Sequence, residues 1–170
     1  MDVNQSSHVM IPLTKGLLAI VDAVDADDML RFRWISRQYR KTFYAARSVS
    51  LAGGGRVMIT MHRQILGFPA GLEVDHINMN GLDNRRANLR AASRAENSRN
   101  SGKPARLLPT SSYKGVMFDR ARSRWRASIT LNGKNMFLGN FDREDEAAKH
   151  YDMASRSLFG RFARTNFYGE

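Results

Sequence analysis

Asp75 and His76 stand side by side near the end of a short apolar run, with Asn88 twelve residues beyond His76 and Asn97 nine further on. Leu72, Val74 and Ile77 frame a short strand, and neighbouring residues on a strand point their side chains to opposite faces. Asp75 and His76 can therefore divide two jobs, one side chain binding a metal ion and the other handling a proton. Asp75 and Asn97 offer oxygen donors, which favour one hard divalent ion, Mg2+ or Mn2+, over zinc. An unperturbed imidazole, with a pKa of about 6.5, is largely neutral at pH 7 and can take a proton from an attacking water.

The elements that must position these residues are compact. Asn78 to Gly81 reads as a turn, and residues 88–92 fit a second short strand. Ser93 and Glu96 then have the spacing of a capping box, which starts a helix and places Asn97 in its first turns. Strand, strand and helix thus form a framework for one ion. Residues 16–60 read as strand-rich: a strand over 17–21, a helix over 25–30 after Asp22, and strands over 31–37, 42–49 and 56–60. Gly53, Gly54 and Gly55 form the loop between the last two. These pieces are too short for a core of their own, so residues 1–60 are expected to pack on the segment that follows. His8 falls in an N-terminal start read as disordered.

His62-Arg63, Asp75-His76, Asp83-Asn84-Arg85-Arg86, Asn88 and Asn97 together resemble the HNH homing endonuclease family, over roughly residues 61–100. Asn97 stands where the family name would have His, as in phage-type members. The resemblance implies a ββα-metal fold and hydrolysis of a phosphodiester bond, with His76 as general base, one ion on Asp75 and Asn97, and Asn88 bonding hairpin backbone so that His76 stays aimed. His62 either orients a phosphate or packs the hairpin through a backbone bond. Arg63, Arg85, Arg86 and Arg90 form either a solvated basic face or phosphate contacts. Arg63, Arg85 and Arg86 are the DNA-binding candidates among them.

Residues 113–118, 124–131 and 134–139 read as a three-stranded antiparallel meander, with Asn132-Gly133 as a two-residue hairpin turn. Trp125, Ala127, Ile129 and Leu131 share one face, while Arg124, Arg126, Ser128 and Thr130 share the other. A helix from Glu144 to Phe159, capped by Asp142, would cover the apolar face. Tyr113-Lys114-Gly115-Val116, Trp125, Leu138-Gly139-Asn140-Phe141, Glu146-Ala147-Ala148, Tyr151-Asp152, Ala154, Phe159-Gly160 and Asn166-Phe167 resemble the plant ethylene-response-factor (apetala-two) DNA-binding domain. The resemblance implies a sheet that enters the major groove. Met117, Phe118, Thr130 and Asn135 stand where plant members often carry Arg or another polar reader. The DNA-binding candidates here are Arg120, Arg122, Arg124, Trp125 and Arg126.

The predicted class is α+β, divided as a strand-rich segment (1–60), the hairpin-helix (61–100), a linker (101–112) and the sheet module (113–168). The 170 residues carry 27 Lys plus Arg against 16 Asp plus Glu, a net charge of +11, which points to a polyanionic partner. Zero cysteines exclude disulfides, zinc fingers, iron–sulfur clusters and thiol nucleophiles. The sequence predicts no signal peptide and no membrane span. The expected partner is double-stranded DNA bound by a monomer that nicks one strand, in the cytoplasm of the cell, or of the host for a phage gene. The competing reading is a DNA-binding transcriptional regulator whose nuclease module is inactive. RNA fits the charge equally well, but its deep, narrow major groove suits a sheet less.

Overall fold

The computed structural model of the chain describes residues 8–39, 42–100 and 110–167, so most of the expected linker lies outside the described residues. The chain divides into two compact units, Met1–Asn97 and Ser98–Glu170. No helix among the described residues is long and apolar enough to cross a membrane.

In the first unit, β1 (His8–Pro12) pairs antiparallel with β2 (Leu18–Asp22). His8 is thus ordered, against expectation. Burial of Ile11 and Val21, each about 1% exposed or less, supplies the apolar anchor that the polar start of the chain conceals. The helix α1 (Ala23–Leu30) opens two residues earlier than expected, with Asp22 at its N-cap position. Asp22 makes no cap bond; its Oδ2 accepts the backbone N–H of Arg86 at 2.7 Å instead. A three-stranded antiparallel sheet follows in the order β3 (Ile35–Tyr39), β4 (Thr42–Ser50), β5 (Arg56–Thr60). The expected strand over 31–37 begins only at Ile35. Trp34 folds back into the core and its Nε1 donates to the carbonyl of Met29 at 2.8 Å, which bends the preceding residues away from the sheet.

The chain then runs through α2 (Met61–Ile65) into a two-stranded hairpin, β6 (Glu73–His76) and β7 (Leu89–Ala92), and into α3 (Arg94–Asn100). The capping box forms as the sequence predicts: Ser93 N–H and Oγ–H donate to Glu96 Oε2 at 2.8 and 2.7 Å, and Glu96 N–H returns to Ser93 Oγ at 3.3 Å. Ile11, Val21, Met29, Trp34, Met61, Val74 and Leu89 belong to one buried cluster, so the N-terminal strands and the hairpin share a core. Backbone bonds reinforce this union. Ile20 N–H donates to Leu82 O at 2.8 Å and Asn84 N–H to Ile20 O at 2.7 Å, so β2 holds the loop between β6 and β7 like an added strand.

The second unit is a meander, β8 (Val116–Asp119), β9 (Arg124–Leu131) and β10 (Lys134–Phe141), with α4 (Glu144–Phe159) on one face. The first strand starts later than expected because Gly115 takes a left-handed φ of +75°, and a Cβ there would collide with the Tyr151 ring. Asn132 and Gly133 both have positive φ, as a type I′ turn requires. The third strand runs two residues further than expected, with an irregularity between Phe137 and Gly139. Arg143, not Asp142, occupies the N-cap of α4; Asp142 pairs with Arg124 across 3.0 Å. Glu144, Asp145 and Glu146 in the first turn still complement the helix dipole. Asp152, almost fully buried, accepts from Asn166 N–H and Phe167 N–H at 2.8 and 2.9 Å, which ties the returning chain to the helix.

Candidate active site

Register fixes what each hairpin face carries. Asp75 is paired with Arg90 and His76 with Leu89, so Glu73, Asp75 and Arg90 share one face while Val74 and His76 share the other. The expected division of Asp75 from His76 follows from this alternation. Both side chains are buried, at 6% and 4% exposure.

On the His76 face, Nε2 lies 3.2 Å from Oδ1 of Asn84, a residue with no exposed surface. Asn84 Nδ2 donates to the carbonyl of Leu82 at 3.2 Å, which fixes the amide with its oxygen toward the ring. An amide oxygen only accepts, so Nε2 carries the proton and the ring's lone pair resides on Nδ1. Burial lowers the His76 pKa; the bond from Asn84 and the charges of Asp75 and Asp83 oppose it in part. The imidazole is therefore neutral near pH 7. Two rings brace it: His62 at 4.9 Å between centroids and Tyr44 at 5.6 Å. His62 is pushed down to about 3, by burial first, then by the charges of His76 and Arg63. Its Nε2 meets the Thr60 hydroxyl at 3.1 Å, while its buried Nδ1 has no partner among the described residues. Tyr44 in turn rests on Gly81, where a Cβ would come within 2.8 Å of the ring.

Asn88 bonds backbone at both ends of the connecting loop, Nδ2 donating to Asp83 O at 2.7 Å and Oδ1 accepting Asn78 N–H at 3.0 Å. It shapes the loop, while the amide that meets His76 Nε2 is that of Asn84. The sequence reading included Asn84 in the Asp83-Asn84-Arg85-Arg86 element of the family resemblance but gave it no role, because its contact with His76 depends on how the loop folds.

On the opposite face Asp75 Oδ2 accepts from Arg90 Nε and Nη2 at 2.8 and 2.6 Å, with both side chains under a tenth exposed. Arg90 is thus no part of a solvated face. Asn97 donates through Nδ2 to Glu73 Oε2, which brings α3 onto the same face as Asp75. Glu73 is a residue missed from sequence. Its i, i+2 relation to Asp75 was the available signal. The oxygens of Asp75, Glu73 and the Asn97 amide are hard donors of the type that suits Mg2+ or Mn2+, and they lie beside the Arg90 guanidinium that already holds Asp75. Among the described residues no group of three or more His, Cys, Asp or Glu side chains is placed to hold a metal, so such an ion would take much of its shell from water and phosphate.

The basic candidates are unequally free. Arg63 donates to Leu72 O at 2.7 Å and Pro69 O at 3.3 Å, stapling the loop before β6. Arg85 chelates Asp83 at 2.8 and 2.7 Å, lowering the carboxyl's pKa, and Arg86 chelates Asp25 at the same distances. Both keep about half of their side-chain surface exposed. In the second unit Arg122 pairs with Asp119 and Arg124 with Asp142. Arg126 instead lies over the Phe137 ring at 5.0 Å. Arg120 is exposed in the turn after β8. Trp125 departs from the expected DNA-facing set. Alternation turns it to the α4 side, where it meets Phe118 edge-on at 5.0 Å and packs on the core.

The HNH endonuclease family model matches residues 59–99, the stretch that carries this hairpin and both of its faces. Protein 3.8 of Escherichia phage T7 is 36% identical over 96 residues, which cover 56% of this chain and 77% of that protein. The chain belongs to the HNH endonuclease family. An uncharacterized HNH endonuclease of Acanthamoeba polyphaga mimivirus is 35% identical over 98 residues, 58% of this HNH chain and 49% of the relative. An AP2/ERF and B3 domain-containing transcription repressor of Arabidopsis thaliana is 46% identical over 63 residues, 37% of this chain and 17% of the plant protein. The chain thus spans about half of the mimivirus relative and less than a fifth of the plant one.

Proposed function

We propose that this HNH protein is a metal-dependent DNA endonuclease of the phage homing type that nicks one strand of a duplex. His76 takes the proton of the attacking water at Nδ1, the nitrogen left with a lone pair by the Asn84 contact at Nε2. This hydrogen bond carries the reading: a buried imidazole held in one tautomer is a costly arrangement for packing alone, and a useful one for a general base. Asn88 shapes the loop on which Asn84 sits, and Tyr44 and His62 keep the ring from rotating. Asp75 and Asn97 would hold one Mg2+ or Mn2+. When bound, such an ion supplies positive charge to the phosphate and to the leaving 3′ oxygen. Arg85 and Arg86, half exposed beside the hairpin, steady the flanking phosphates.

The second unit anchors the chain on DNA, with Arg120, Arg122, Arg124 and Arg126 as contacts. A tethered binder raises the local concentration of duplex at the hairpin. The unit acts as a monomer, and one hairpin per chain cuts one strand.

The test is supercoiled plasmid incubated with Mg2+ and either the wild type or His76→Ala, across a range of protein concentrations. The wild type should yield nicked circles with a rate linear in protein, and His76→Ala almost none. Cleavage that survives His76→Ala overturns the mechanism. Binding without cleavage by the wild type turns the assignment to a DNA-binding regulator.

A further inference from the structure

The open face of the meander, opposite α4, is not uniformly basic. Cross-strand register places Met117 on β8 and Asn140 on β10 directly beside Arg126 on β9, with Phe137 one pair further along beside Ser128. Side-chain alternation puts all four on the open side, away from Val116, Ala127 and the helix. Met117 is 42% exposed and Phe137 55% exposed. Asp119, Arg122, Arg126, Phe137 and Asn140 line a recess of about 260 Å3, and the buried Oδ1 of Asn140 has no hydrogen-bond partner among the described residues.

Arg122 and Arg124 each have a carboxylate partner, whereas Arg126 lies over an aromatic ring. Contact with Phe137 restrains the guanidinium, whose N–H fork matches a planar acceptor pair. The two large apolar side chains flanking it have nothing to gain from phosphate. In a major groove the groups complementary to this strip are the O6 and N7 acceptors of guanine and the C5-methyl of thymine. Neighbouring residues on paired strands stand about 5 Å apart, a separation that can reach successive base pairs.

We propose that this strip is a specificity site for a guanine with a thymine beside it, Arg126 taking the guanine edge while Met117 and Phe137 enclose the thymine methyl. The proposal rests on the reading above that the second unit binds duplex DNA. Arg122, held by Asp119 at the rim, contributes to affinity through phosphate but not to the choice of base.

A pool of random duplexes is selected for retention by the full-length chain in the presence of EDTA. The retained duplexes are then remade with deoxyuridine for thymidine, which deletes only the C5-methyl group. Affinity should fall by about three- to fourfold for each thymine contacted, the worth of one buried methyl. The double variant Met117→Ser plus Phe137→Ser should bind both forms alike while unfolding at the wild-type temperature. Arg126→Ala should lose the preference for guanine in a repeated selection. Equal wild-type affinity for the thymidine and deoxyuridine duplexes overturns the proposal and leaves DNA binding standing. Restoration of the uridine duplex by 5-methylcytosine at other positions overturns the assignment to thymine. Failure to retain any duplex over competitor removes the DNA-binding reading of this unit and the proposal with it.

Discussion

Both units have an apolar core, but they differ in where they keep their charged and polar groups. In the first, His62, Asp75, His76, Asp83, Asn84 and Asn88 are all under a tenth exposed and bond to each other, to neighbouring arginine and polar side chains, or to loop backbone. In the second, the core is Val116, Ala127, Ala147 and Ala148 with aromatic flanks, and its guanidinium–carboxylate pairs stand at the surface. A site that must place a proton acceptor and ion ligands to a fraction of an ångström needs dry, mutually satisfied polar groups. A surface that meets a polyanion works best with its charges in solvent, on side chains whose backbone is fixed from behind.

Ion pairs give the widest contrast. Arg90→Met should destabilise the first unit by about 3–5 kcal/mol, because it strands a buried Asp75 carboxylate. Arg122→Ala, which removes a pair on the open sheet, should leave the denaturation midpoint of the second unit within the error of the measurement. Similar losses in urea titrations of the two variants would erase the distinction between the units.

Asn84→Ala should slow nicking by about two orders of magnitude at saturating DNA with little change in DNA affinity, since the ring loses the partner that sets its tautomer. A loss confined to affinity would remove Asn84 from the site. On the other hairpin face Glu73→Ala should weaken Mn2+ binding about tenfold, read by electron paramagnetic resonance in the absence of DNA. The carboxylate holds Asn97 by its Nδ2 and so leaves the amide oxygen to turn toward an ion. Unchanged Mn2+ affinity would reduce Glu73 to a helix tether.

The smallest expected effects are in pH. His62 has a folded pKa of about 3 against about 6.5 unfolded, so between these values the unfolded chain binds more protons. Stability of the first unit is complete above pH 6.5 and declines as pH falls toward 3; His62→Gln should flatten that decline. Lys114, in the second unit, is lowered to about 8 by burial and then by Arg164. There the unfolded chain holds more protons between 8 and about 10.5, so stability contributed by this group rises across that interval. Melting curves from pH 4 to 10 that are parallel for the two units would contradict both assignments.

Local signals were legible wherever a short rule governs the outcome. The capping box at Ser93, the turn at Asn132-Gly133, the alternation along β9 and the long amphipathic α4 all depend on residues within a few positions of one another. The misplaced elements depended on tertiary packing: Trp34 and Ile11 entering the common core, Gly115 yielding to Tyr151. For the candidate site, the sequence marked Asp75, His76, Asn88 and Asn97 and the opposed faces of the first two. It gave no role to Asn84, quoted only within the family motif, or to Glu73, and did not separate Arg90 from the exposed arginines.

The sequence by itself determined the net charge of +11, the motif residues that carry the family resemblance and most of the strands and helices, though not β1 or α2, because these signals lie in residue types and in spacings of a few positions. Only the tertiary structure decided which nitrogen of His76 carries the proton, which arginines are already occupied and which face of the meander stays open. Those outcomes depend on contacts between segments far apart in the chain: β2 pairing with the loop that carries Asn84, Asp25 capturing Arg86, and α4 covering one side of the sheet.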